Sequence, residues 1–179
     1  MHGLAACKTQ TGFTLLDLIL VMIIVAITGM ISVPAFNSVA SIARLNEAAA
    51  ETVSALEFAR HRAILFQRPF GLRVDTAENR FIVFDKRYTA DASPHPDAIP
   101  PVNSNGVLFH PIDKTAYQID FDDRNTFSGV DISAVTPGNE ILFHADGHAA
   151  PQSPTMVIVL GKEQRVIMVD HVTGKVTVQ

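Results

Sequence analysis

The chain opens on a mixed stretch of twelve residues and then turns apolar. From Phe13 to Phe36 the run is almost uninterruptedly apolar, with Asp17 as the only charge. A helix needs roughly 20 such residues to cross a bilayer, and this run is long enough. A second pattern begins near Asn46. Helix-forming residues continue to Gln67, and Val53, Leu56, Ala59, Ala63 and Phe66 recur at spacings of three and four, which predicts one amphipathic stripe. Joined, the two segments predict a helix of about 50 residues, roughly 80 Å long at 1.5 Å per residue, kinked near Gly29 and Pro34 and ended by Pro69.

After Pro69 the period falls to two. Phe70 to Asp75 and Arg80 to Lys86 alternate around Thr76–Asn79 and predict a hairpin. Tyr117 to Phe121, Glu140 to His144, Thr155 to Leu160, Arg165 to Asp170 and Lys175 to Val178 predict further strands, with turns at Asp146-Gly147, Gly161-Lys162 and Thr173-Gly174. Tyr88 to Asn105, rich in proline and polar residues, reads as a long exposed loop. No internal repeat is visible. The expected fold class is α+β: a long N-terminal helix, half transmembrane and half amphipathic, packed on an antiparallel β-sheet or small β-sandwich.

Composition changes this picture only at the margins. Of 179 residues, 47% are hydrophobic, so removing the apolar segment still leaves enough for one compact soluble domain. The formal charge of −4 is mild, and the acids are spread out, so nucleic acid binding is not expected. Arg60, Arg62, Arg68 and Arg73 gather locally. A solvated helix end followed by a strand is the preferred reading of that group over an anionic-partner site. The single cysteine, Cys7, lies before the apolar core, which argues against a lipoprotein signal, and it would leave with the leader, so no disulfide is expected in the mature domain. Lys8 ahead of the membrane segment favours a cytoplasmic amino terminus and an external carboxyl terminus.

Asp17 calls for a cation. A carboxylate in a membrane helix costs about 2.5 to 3.5 kcal/mol at the bilayer centre, and less near an end. Were the chain cut after Gly12, the new ammonium of Phe13 would lie one helical turn before Asp17, where the helix dipole also favours negative charge. A tolerated interfacial acid on a simple signal anchor is the alternative. Plain secretion, with Ser38-Val39-Ala40 as the cleavage site, is another, although the core is longer than the usual secretory one.

The junction Gly12-Phe13-Thr14-Leu15-Leu16-Asp17, with the apolar run and Pro34 after it, resembles the class III signal of type IV pilins and type II secretion pseudopilins. Glu140 to Gly147 (EILFHADG), Thr155 to Leu160, Val166 to Asp170 and Thr173-Gly174-Lys175-Val176 are similar to the carboxyl-terminal half of the GspH/FimT group of minor pilins and pseudopilins. Ala59 to Ile64, followed by Pro69 and Leu72-Arg73, is similar to that group as well. The resemblance implies processing at Gly12 and Phe13, with a prepilin peptidase cutting after the glycine and methylating the phenylalanine. It implies assembly roles for Asp17 and Pro34. Aspartate stands at position 17 where most members carry glutamate. The implied divisions are a leader at 1–12, a transmembrane assembly helix at 13–36, an amphipathic continuation at 37–67 and a periplasmic β-rich domain at 68–179.

Two clusters invite a metal reading. His144, Asp146 and His148 would share one face of a straight strand as zinc ligands do, but Asp146-Gly147 is a turn signal that breaks that face. Asp120, Asp122, Asp123 and Asn125 are oxygen-rich, yet Arg124 stands where a calcium loop needs a ligand and the sharp-turn glycine is missing. No metal or cofactor is expected. His61, His110 and His171 have no obvious partners, the serines lack a nucleophile-elbow pattern and there is no phosphate loop, so no enzyme is expected.

The functional expectation is a structural minor pseudopilin at or near the tip of a type II secretion pseudopilus, anchored in the inner membrane with its domain in the periplasm. Its expected partners are other pilins or pseudopilins through the N-terminal helix, the prepilin peptidase and the inner-membrane assembly platform. A FimT-like minor type IV pilin, in pilus priming or DNA uptake, is the alternative machine. A monomeric membrane-anchored periplasmic binding protein is the alternative class.

Overall fold

The computed structural model describes residues 15–87, 106–112, 114–123 and 125–179, with backbone only at 30–38 and 125. The expected loop at 88–105 and the leader junction at Gly12 and Phe13 lie outside the described residues. The chain divides into two compact units, one ending at Ala40 and one spanning Ser41–Gln179. Helix α1, Leu15–Phe66, supplies the described part of the first unit and enters the second.

In the second unit α1 buries Leu45, Ala48, Ala49, Thr52, Ala55, Leu56, Ala59 and Ala63. This stripe is close to the expected one, but Val53 and Phe66 sit only at its margin. Most of the buried positions are alanine, which puts helix backbone near the strands without a void. Thr52 Oγ1 donates to Ala48 O at 2.8 Å, so the one buried polar group of the stripe is satisfied inside the helix. The helix stops just before Pro69. Gln67 turns into the left-handed region at φ 52°, and Arg68 N donates back to Ala63 O at 3.3 Å, which is a Schellman ending.

Among the described residues nine strands follow, in two antiparallel sheets. β1 (Phe70–Asp75), β2 (Arg80–Asp85), β3 (Gln118–Asp120), β5 (Glu140–Phe143) and β6 (Ala149–Ala150) form a five-stranded sheet in the order β3-β2-β1-β5-β6. β4 (Asp131–Thr136), β7 (Thr155–Leu160), β8 (Glu163–Val169) and β9 (Val176–Val178) form a four-stranded one in the order β4-β7-β8-β9. The β1–β2 hairpin pairs Phe70 with Asp85 and Asp75 with Arg80, and Asp75 Oδ1 accepts from Ala77 N and Glu78 N to close its turn. Gly161 and Lys162 make the two-residue turn between Leu160 and Glu163.

Alternation places Phe70, Leu72, Phe81, Val83, Ile119, Ile141 and Phe143 of one sheet, and Ile132, Met156, Ile158, Ile167 and Val169 of the other, in a single core with the α1 stripe. β4 is a strand that the period-two reading passed over. Its burial alternates poorly because it is an edge strand with a bulge between Ile132 and Ala134.

Asn79 ties the two sheets together. Its Nδ2 donates to Val130 O and to Asp122 Oδ1, each at 2.8 Å, and its Oδ1 accepts from Ile132 N at 2.9 Å. The residue is buried at φ 45°, a left-handed conformation that asparagine tolerates better than most side chains.

Candidate functional site

Between Asp17 and Thr28 the helix of the first unit is apolar all round. From Leu18 to Val25 every side chain stays exposed within the structure, Ile19 least so at 49%. Each such residue stabilises by about 1.5 to 3 kcal/mol when taken out of water, so this surface calls for lipid or for other helices. Thr28 Oγ1 donates to Ile24 O at 2.9 Å, or to Val25 O at 3.0 Å, so its hydroxyl is satisfied within the helix. Among the described residues no helix is long and apolar enough to cross a membrane. Side chains are described only from Leu15 to Gly29 before the gap at 30–38, while the apolar sequence runs on to Val33.

Asp17 sits in the first described turn of α1, exposed, where the helix dipole favours its charge. Helical backbone continues through Pro34, whose side chain lies outside the described residues, as do Gly12 and Phe13.

The arginine group is engaged within the second unit. Arg60 Nη1 lies 3.5 Å from Glu57 Oε2, and the Arg62 guanidinium rests 4.8 Å from the centre of the Phe58 ring and 5.5 Å from that of Phe66. Burial against these rings lowers the Arg62 pKa from its ordinary value. Arg68 Nη2 meets Asp85 Oδ2 at 3.0 Å in a buried pair, and the guanidinium also covers Phe70 at 5.2 Å. Arg73 Nε lies 2.9 Å from Glu140 Oε1, and Lys86 Nζ lies 2.6 Å from Glu140 Oε2. Partial burial works to raise the Glu140 pKa, but hydrogen bonds and charge from Lys86 and Arg73 outweigh it and hold the carboxyl below its ordinary value. These contacts agree with the structural reading of the arginines.

The two expected polar clusters also take internal roles. Asp120 Oδ1 accepts from Asp122 N at 2.9 Å and from Asp123 N at 3.3 Å, while Asp122 accepts from Asn79. Arg124 and the Asn125 side chain lie outside the described residues. In the β5–β6 turn the His144 and His148 rings stack face to face, 4.3 Å apart, rather than converging on a common point. Among the described residues no group of three histidine, cysteine or acidic side chains could hold a metal ion.

His171, which had no obvious partner in the sequence, packs edge-on against His148 at 5.8 Å and donates from Nδ1 to Ala149 O at 2.5 Å. His110 meets the Tyr117 ring edge-on at 4.6 Å, and His61 is exposed. The turn residues Thr173-Gly174 place His171, but its partners come from a hairpin 22 residues away, a pairing that local pattern does not reveal.

No protein-family model matches the chain, and no curated protein matches it by sequence. Its fold is shared with solved structures. The minor pseudopilin EpsH from the type 2 secretion system of Vibrio cholerae superposes with a TM-score of 0.51 at 17% identity, over 76% of this chain and 96% of that one. The type IV minor pilin FimU of Pseudomonas aeruginosa gives 0.49 at 15% identity, over 75% and 87% respectively. The EpsH likeness carries the assignment: an N-terminal helix packed on antiparallel sheets, the pilin-like α+β fold.

Proposed function

We propose that this chain is a minor pseudopilin, a structural subunit at or near the tip of a type II secretion pseudopilus. The observation that carries the reading is the exposed, apolar stretch Leu18–Val25 of α1, with an acid in the first described turn, leading into a domain with the fold of EpsH. EpsH is described as a minor pseudopilin of a type 2 secretion system, and the likeness supports the same class of machine for this chain.

In this account the prepilin peptidase cuts after Gly12 and methylates Phe13. Asp17 then neutralises the new ammonium group one turn away, so that neither charge is carried bare into lipid. The helix passes from the inner membrane into the filament core, where its apolar circumference packs against other pilin-like helices, and the inner-membrane assembly platform drives the transfer. The domain from Ser41 onward faces the periplasm and selects neighbours. The work is structural rather than catalytic. Arg60, Arg68 and Arg73 each pair with a carboxylate inside the domain, which supports a structural rather than a DNA-binding reading of that group.

Asp17→Ala tests the assembly role. Membrane insertion of the variant should match wild type, because a costly charge is removed from an apolar helix. Its recovery with neighbouring pseudopilins, after crosslinking in membranes, should fall by about tenfold, the worth of 1.4 kcal/mol. Equal recovery of Asp17→Ala and wild type would end that role.

A further inference from the structure

The two sheets turn different outer faces to their surroundings. On the five-stranded sheet the register sets Arg73 beside Glu140 and aligns Asp75, Arg80 and Asp120 across three strands, so charges of both signs are interspersed there. That is the composition of a solvated face.

The four-stranded sheet buries Met156, Ile158 and Ile167 in the core, and alternation puts their strand neighbours on the opposite side. There the register aligns Val157 with Val166, and Met168 with both Thr155 and Thr177. Val159 lies next to them, and β4 adds an alanine and a threonine in the same rows. These side chains are half-buried or exposed, Met168 at 37%. The strands do carry charge, but elsewhere. Arg165 stands on the core side, where its Nε donates to Asn46 Oδ1 of α1 at 3.0 Å, and Glu163 shares that side. Among the described residues the strands bring one charge to the outer face, Asp131 at a corner. Asp170 and Lys175 follow only past the strand ends, in the β8–β9 turn. Folding sets no such limit, because a lysine or glutamate on a solvated strand face costs little. Charge depletion around a half-buried apolar centre is the mark of an interface core.

We propose that this outer face of the four-stranded sheet is the docking surface for the domain of a neighbouring pilin-like subunit, which meets it with an uncharged surface of aliphatic and hydroxyl side chains. The inference rests on the pseudopilin reading above and names the surface by which the domain selects its neighbour.

The chemistry and the size of the face set the occupant. A lipid surface calls for cations and interfacial aromatics, and the face has neither. A nucleic acid calls for cations as well. A charged protein surface would lose its hydration against valine and methionine and gain no counter-ion, so the occupant is uncharged. Four strands about 4.8 Å apart and three rows of side chains about 6.8 Å apart cover roughly 400 Å², so a surface laid on them buries about 800 Å² in total. A stable free complex buries about 1,200 Å² or more. The face is therefore too small to hold a second copy by itself. It suits a partner that another contact already keeps at high effective concentration, as helix packing within a filament does.

The test uses the full chain in membranes that contain the prepilin peptidase and the neighbouring pseudopilins. Leader removal is read from the mass of the chain, and recovery with those pseudopilins is read after crosslinking. Val166→Lys puts an ammonium without a counter-ion at the centre of the face, so its recovery should fall by about tenfold or more. Val166→Thr keeps the face uncharged and should stay within about twofold of wild type. Gln118→Lys adds the same charge to the exposed face of the other sheet and should also stay within about twofold. Should Val166→Lys not fold, Thr177→Lys on the exposed edge strand β9 carries the same expectation. Processed chains with equal recovery of the lysine variant and wild type overturn the surface alone, whereas an intact leader overturns the reading it rests on and the surface with it. Met168→Cys, whose only other cysteine is Cys7 in the leader, should give no disulfide-linked dimer of itself on oxidation. Such a dimer would make the occupant a second copy and overturn the assignment to a neighbour.

Discussion

At the scale of single residues, buried polar bonding decides more than charge does. Asn79 carries its bonds to Val130 O and Ile132 N at a junction closed to water, so Asn79→Ala leaves a buried acceptor and a buried donor unpaired. The expected loss is about 3 kcal/mol, measured by urea unfolding followed by circular dichroism. Asn79→Gly, which accepts the positive φ freely, should lose nearly as much, showing that the side-chain bonds and not backbone strain are responsible. None of this was legible in the sequence, where Asn79 reads only as the last residue of a hairpin turn. Its partners lie 43 to 53 positions further on. The histidines teach the same lesson in part, because the Asp146-Gly147 turn was readable while the approach of His171 was not.

Among the elements, the strands with two clear faces were the readable ones. β1, β2, β5 and β7 alternate because one face meets the core, and β1 and β7 have the bounds that their sequence predicts. β4 escaped because a bulged edge strand gives no steady alternation, and β6 because two alanines carry no period at all. In α1 the expected stripe was right in phase and short at its beginning, since Leu45, Ala48 and Thr52 extend it toward the amino terminus. The alanines of that stripe set the spacing between helix and sheets. Ala59→Leu should therefore destabilise by about 1 to 3 kcal/mol through overpacking, whereas Ser54→Leu on the exposed side of the same helix should stay within about 0.5 kcal/mol of wild type in the same unfolding measurement.

For the whole molecule, the proposed role joins a helix whose apolar surface calls for a surrounding to a domain that is complete in its own core. The apolar run was plain in the sequence because hydrophobic continuity is the strongest one-dimensional signal a chain carries. The division of the described strands into two sheets was not, because it is set by pairings between distant residues such as Phe70 with Phe143. The role stands or falls at Gly12 and Phe13, where the leader must leave before the helix can enter a filament. The decisive experiment is the amino-terminal sequence and mass of the protein recovered from membranes with and without a prepilin peptidase. The proposal predicts a chain beginning at N-methylated Phe13 only when the peptidase is present. An intact leader in both membranes would contradict it and leave a simple anchored domain.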